Sequence, residues 1–292
     1  MTPNSTSLVL KPFESQVDRE AVAQLLSTLE SLGQLPGISS ENLLQLLDSG
    51  GLVALHHGRC VAVASVELSE GAKEADLIWV VEPGSDGARH GLLASVRDRA
   101  KTLGATTVLC YLPESDAENL TFFNAVGAVN VTGYSRWVAD LSESIEANPA
   151  EAITVQATDD AQLLLKGTEA AWSDLPGHKP ATPAAVGEAI AAFGPGMHFV
   201  ALDDSGQPIG LFRGLMIGTQ DAFVDAPGLA PRFRNAENYS HLAKLAMQHL
   251  SGLGAKTAVM DSWGDVPEAW EGWLLAGWTR QGYMPARRIT IY

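Results

Sequence analysis

Apolar residues along this chain fall into short runs separated by glycine, proline and polar turns, and the spacing inside the runs switches between alternation and the helical period. The first half reads as strands over 8–11, 52–56, 59–68 and 76–81, with helices over 18–32 and 40–47. A glycine-bearing turn follows, then a long helix ending at Leu103, a strand over 107–111, a short helix over 117–125 and a strand over 133–139. The second half gives a strand over 153–156, helices over 160–172 and 183–192, and strands over 198–202, 208–217 and 222–224. It continues with a long helix over 236–250, a strand over 257–261 and a closing tail over 287–292. Thr182 before Pro183 supplies a cap and a first-turn proline for one of these helices. The pattern predicts an α/β (α+β) class in which a mixed, mostly antiparallel sheet flanked by helices is built twice.

The duplication is legible in the residues themselves. Leu103-Gly104-Ala105 before one strand matches Leu253-Gly254-Ala255 before another, and Gly104 and Gly254 are 150 residues apart. Gly127 and Gly277, each beside apolar residues, keep the same 150-residue offset. Gly133-Tyr134 pairs with Gly282-Tyr283, and Leu52-Val53-Ala54-Leu55 with Phe199-Val200-Ala201-Leu202. Residues 143–152, rich in Glu, Ser, Asn, Ala and Pro, lack apolar periodicity and read as a linker. Two domains, 1–148 and 149–292, are therefore expected.

Composition narrows the function classes. A hydrophobic fraction of 46% with 18% charged residues is that of a folded globular chain. The formal net charge of −15 disfavours a broad nucleic-acid or anionic-membrane surface, which needs clustered Lys and Arg, and leaves neutral or cationic partners. Cys60 and Cys110 sit inside apolar runs without metal-type spacing and read as small buried hydrophobes. Residues 1–7 lack a basic segment followed by an apolar one, and no run approaches membrane-spanning length, so a cytoplasmic setting is expected.

The chemistry is expected where the glycine-bearing turn meets the first long helix. That stretch is Val81-Glu82-Pro83-Gly84-Ser85-Asp86-Gly87-Ala88-Arg89-His90-Gly91. A helix N-terminus with glycine-bared backbone N–H groups suits a phosphate. Together with the order strand, turn, long helix, Leu-Gly-Ala, strand, short helix, this stretch resembles the acetyl-CoA-dependent acetyltransferases of the GNAT superfamily, and the resemblance extends over both halves. The family's signature runs Val-x-Pro-x-x-Arg-Gly-x-Gly-x-Gly or Ala. Val81, Pro83, Gly87 and Gly91 fit it, while Asp86 stands at the usual Arg or Gln and Arg89 at a usual glycine. A second register puts Gly84 at the Arg position and Gly87 at the middle glycine. The resemblance implies acetyl-CoA as co-substrate, held by Val80, Val81, Gly84, Ser85, Gly87, Ala88, Arg89 and His90. Arg89 and His90 would lend positive charge, and Asp86 would oppose it.

The second copy reads Pro231-Arg232-Phe233-Arg234-Asn235-Ala236-Glu237-Asn238-Tyr239, in which side chains replace every glycine. It is expected not to hold acetyl-CoA in the usual manner. The family's frequent Tyr four residues before the Gly-apolar pair, a general acid, falls on Phe123 and Trp273, neither of which can give a proton. Glu67, Asp76, Glu82, Asp221 and Asp225 are carboxylates on or beside the central strands; none is singled out as a base, and no metal site is expected. His56-His57 falls at a turn. Asp261-Ser262-Trp263-Gly264-Asp265 ends a strand of the second copy and either lines a cleft or packs a capped turn. The resemblance implies an N-acetyltransferase acting on the amine of a small molecule or peptide by direct attack. The alternative is a catalytically inactive module that keeps the fold for binding or assembly.

Overall fold

A computed structural model describes residues 8–31, 40–69, 71–142, 145, 153–176, 178–264 and 266–291. The linker expected over 143–152 therefore lies, apart from Ile145, outside the described residues. The first series of elements is β1 (Leu8–Pro12), α1 (Ser15–Ser31), α2 (Ser40–Asp48), β2 (Leu52–His56), β3 (Arg59–Glu67), β4 (Glu74–Val81), α3 (Asp86–Leu103), β5 (Thr107–Tyr111), α4 (Ala117–Ala125) and β6 (Val129–Asp140). The second is β7 (Thr154–Ala157), α5 (Ala161–Trp172), α6 (Pro183–Phe193), β8 (His198–Leu202), β9 (Pro208–Met216), β10 (Asp221–Leu229), a 3-10 turn (Pro231–Phe233), α7 (Ala236–Gly252), β11 (Thr257–Trp263), α8 (Pro267–Leu275) and β12 (Thr279–Thr290).

The two series are the same architecture, and the residues that revealed the repeat are the ones that stop its helices. After α3, Gly104 takes φ 86°, its N–H reaches Lys101 O, and Ala105 N–H reaches Ala100 O. After α7, Gly254 takes φ 98°, with the same bonds to Ser251 O and from Ala255 to Leu250 O. This left-handed closure satisfies the last carbonyls of a helix and suits glycine, which has no Cβ to clash. The Gly127-Ala128 and Gly277-Trp278 pairs close α4 and α8 in the same way.

Contacts divide the chain into two compact units, Met1–Val131 with Met284–Tyr292, and Thr132–Tyr283. In the first, the strand order is β1-β2-β3-β4-β5-β12; β12 pairs antiparallel with β5 from Ala286↔Tyr111 to Thr290↔Thr107. In the second it is β6-β11-β10-β9-β8-β7, with β6 antiparallel to β11 from Asp140↔Thr257 to Tyr134↔Trp263. Each copy thus ends in a strand that completes the other unit, whereas the reading from sequence kept 1–148 and 149–292 as linear halves. Ladder hydrogen bonds join backbone groups and carry no record of which copy a strand came from. Ile289 enters the core of the first unit, and Trp137 and Ala139 that of the second, so either pairing buries apolar residues.

Both faces of each sheet are covered. In the first unit Val22, Leu25, Leu26 and Leu29 of α1 recur at helical spacing and pack one face with Leu43, Leu44 and Leu47 of α2. Ala88, Leu92, Leu93, Val96 and Ala100 of α3 pack the other face with Phe122 and Phe123 of α4. Cys60 and Cys110 are free and buried, as expected. Strand β10 runs past the expected end at Val224 to Leu229, because the Pro227-Gly228 pair is absorbed by a register shift against β9 between Asp225 and Gly228. Among the described residues no helix is long and apolar enough to cross a membrane, and no group of three or more His, Cys, Asp or Glu is placed to hold a metal.

Candidate active site

In the first unit β4 and β5 run parallel from Glu74↔Thr107 only as far as Leu77↔Cys110, while β4 continues to Val81. A gap opens between the strands beyond that point. Against β3, Glu82 N–H bonds Val61 O across the Ala62↔Val81 pair. Antiparallel alternation then gives Val80 N–H to β3 and turns that of Val81 away from it, toward the gap. Of the two valines named from sequence, Val81 offers the backbone donor.

The turn after β4 carries Gly84 at φ 74°, and Ser85 occupies the cap position of α3 without a side-chain cap bond. The N–H groups of Asp86, Gly87 and Ala88 open the helix and have no intrahelical carbonyl to meet. They border a cavity of about 230 Å³ lined in part by His56, Gly84, Ser85, Asp86, Gly87 and Ala88. An added Cβ at Gly84 or Gly87 would meet nothing within 4 Å, so the loop leaves open space there. Four of the eight residues named from sequence meet at this cavity.

Arg89 and His90 turn elsewhere. Arg89 is 1% exposed; its Nη1 bonds Asp86 at 2.6 Å, its Nη2 bonds Glu118 at 2.5 Å and its Nε bonds Asn119 Oδ1 at 3.0 Å. Glu118 also accepts the Gly84 N–H at 2.8 Å. That N–H, followed by Arg89, holds the Glu118 carboxyl below the usual carboxylate range. His90 Nδ1 lies 3.0 Å from Asp86 O, and its ring meets the Phe122 ring edge-on at 5.0 Å. One loop donor and the Arg89 charge are thus already engaged by carboxylates. Glu118 gave no signal in the sequence, standing 34 residues from Gly84; α4, capped by Asp116 through Asn119 N–H, brings it there. Phe123 is buried against Trp79, a packing role.

The second unit closes the equivalent helix start. Asn235 caps α7 by accepting from Asn238 N–H at 2.8 Å. Arg234 is fixed by two 2.7 Å bonds to Asp174 and by bonds to Leu229 O and Ala171 O. Asp174 is held below its usual range, chiefly by Arg234. The strand gap nevertheless persists: β10 and β11 pair up to Asp225↔Asp261, and beyond them lies a cavity of about 130 Å³ lined by Trp172, Asp225, Tyr239, Asp261, Trp263 and Trp273 among others. A second recess of about 410 Å³ shares Trp172 and Trp263 and adds His178, Ala185, Val186 and Arg213. Asp261-Ser262-Trp263-Gly264 therefore lines a cleft; Asp265 lies outside the described residues. Asp225 Oδ2 accepts from Arg213 Nη1 at 2.7 Å, and Asp261 is doubly bonded by Arg136 at 2.8 Å. Burial pushes the Asp225 carboxyl above its usual range; Arg213 opposes this and the Asp261 charge adds to it. Glu67, Asp76 and Glu82 do not line the first unit's cavity, and Arg59 grips Glu82 with 2.6 and 2.7 Å bonds.

No protein-family model matches the sequence, and no curated protein does. Solved structures do. A GCN5-related N-acetyltransferase from Sphaerobacter thermophilus superposes with a TM-score of 0.74 at 17% identity, over 97% of this chain and 96% of that one. A GCN5-related N-acetyltransferase from Kribbella flavida gives 0.53 at 16% identity, over 96% and 71%. These likenesses define the architecture as the GNAT acetyltransferase fold. A tandem GNAT protein from the clavulanic acid biosynthesis pathway, solved without AcCoA, gives 0.62 at 17% identity over 98% of this chain and 99% of that one. The fold of this chain is the GNAT fold in tandem.

Proposed function

We propose that the chain is an acetyl-CoA-dependent N-acetyltransferase acting on the amine of a small molecule or peptide, with its nucleotide loop in the first unit. The observation that carries this reading is the uncapped start of α3, whose Asp86, Gly87 and Ala88 N–H groups border a cavity of about 230 Å³ lined also by Leu8, His56 and Val61. These donors suit the CoA pyrophosphate, and Val81 N–H in the gap suits the thioester carbonyl, whose oxygen gains negative charge when an amine attacks. The neutral amine nitrogen bonds to the carbonyl carbon and gives up a proton to water, the carbon–sulfur bond breaks, and the thiolate takes a proton from water, since Phe123 cannot supply one. No covalent enzyme intermediate is involved. A cytoplasmic setting, and the absence of a nucleic-acid partner expected from the net charge of −15, belong to the same reading.

The bonds of Glu118 to Gly84 N–H and Arg89 favour a second reading, a binding or assembly module that keeps the fold without the chemistry. Calorimetry and thermal shift with acetyl-CoA separate the two. Binding that is abolished by Gly87→Glu and unchanged by Asn235→Glu supports the enzyme; no heat and no shift at millimolar ligand overturns it.

A further inference from the structure

The cleft of the second unit is built more completely than an abandoned nucleotide site requires. Its inner cavity lies beyond the last parallel pair, Asp225↔Asp261, and has Trp172 and Trp263 in common with the larger recess. Trp273, 2% exposed, lines the inner cavity, and its indole N–H has no acceptor among the described residues. A buried donor left unpaired is costly, so such a group beside a cavity marks where a bound acceptor would sit. Asp225 lines the same cavity with one carboxylate oxygen bonded to Arg213 and the other without a hydrogen-bond partner among the described residues. The inner end thus presents one donor and one anionic acceptor. Outward, the wall is mostly apolar, with two indoles and the small face of α6 at Ala185, Val186 and Ala189, and Thr168, His178, Lys179 and Arg213 also line it.

We propose that this cleft binds an aromatic primary amine that carries a carbonyl oxygen next to its ammonium group, the chemistry of an aromatic amino-acid amide. The ammonium lies on the free oxygen of Asp225, the carbonyl oxygen accepts from Trp273 Nε1, and the ring lies in the recess against Trp172 and Trp263. Indole faces favour a flat apolar body and attract a nearby cation. The site is separate from the loop at α3 and does not depend on the reading of that loop.

Calorimetry on the full chain with phenylalaninamide, its N-acetyl derivative and phenylethylamine tests the proposal. Phenylalaninamide is expected to saturate one site, with the N-acetyl derivative weaker by about tenfold or more for want of the charge-assisted bond. Trp273→Phe keeps a ring and removes the donor; it should weaken phenylalaninamide by about fivefold and leave phenylethylamine within about twofold. Asp225→Asn should weaken both amines by about tenfold or more. No saturation at millimolar phenylalaninamide, equal binding of the acetylated probe, or equal losses for both amines in Trp273→Phe would overturn it. Trp273→Phe decides the matter if Asp225→Asn does not fold.

Discussion

Replacing Glu118 with Gln should tighten the binding of CoA. The carboxylate accepts the Gly84 N–H at 2.8 Å and an Arg89 Nη2 bond at 2.5 Å, so it occupies one loop donor and cancels a charge that would otherwise favour phosphate. Gln keeps the shape and removes the charge. A unit pair about 4 Å apart is worth about 1 kcal/mol in water and about 4 at an effective dielectric near a protein surface. The Glu118 side chain is 52% exposed, which places it near the lower figure. With roughly two phosphate charges in play the gain is about 2 kcal/mol, or roughly 30-fold in affinity. The assay is a CoA titration by calorimetry at low salt, repeated at high salt, where the gain should shrink. Unchanged or weaker binding by a folded Glu118→Gln chain would refute the claim that this carboxylate competes with the ligand.

The same carboxylate sets an acid limit. Its folded pKa is depressed, first by Gly84 N–H and then by Arg89, so it stabilises the fold above its unfolded value of 4.5 and loses that contribution as pH falls through the folded value. Urea denaturation should show wild type more stable than Glu118→Gln at neutral pH and the difference closing below pH 4.5. Gly254→Ala, which forces a Cβ onto φ 98°, should cost about 1 kcal/mol by the same measurement, and Gly104→Ala at φ 86° a similar amount; a neutral result at both would contradict the capping argument. Burial pushes the Cys60 thiol up to about 12 and raises that of Cys110 as well. Neither should react with a disulfide reagent in the native chain at neutral pH, and both should react once it is unfolded.

Much of this protein was written locally. Helix stops at Gly104, Gly127, Gly254 and Gly277 are decided by neighbours a few residues away, because a left-handed closure needs glycine whatever surrounds it. The repeat, the element order and the place of the loop at α3 were therefore readable. So were the side chains that fill the glycine positions of the second copy, although only the fold shows that Asn235 among them caps α7. The end of β10 was not, since Pro227-Gly228 reads as a stop and only pairing with β9 carries the strand through it.

What depended on distant partners was hidden. The sequence placed Arg89 at the mouth of the loop; folding turned it onto Glu118 and Asn119, because a buried guanidinium must find acceptors and α4 supplied them. It could not show that β6 and β12 change places, since each brings apolar residues to a core and their ladder bonds identify no copy. Nor could it join Asp225, Trp172, Trp263 and Trp273 around one cleft, residues spread over a hundred positions that meet only where β10 and β11 part. Periodicity and caps are short-range properties of the chain, whereas charge pairing and cavities belong to surfaces that exist only after folding.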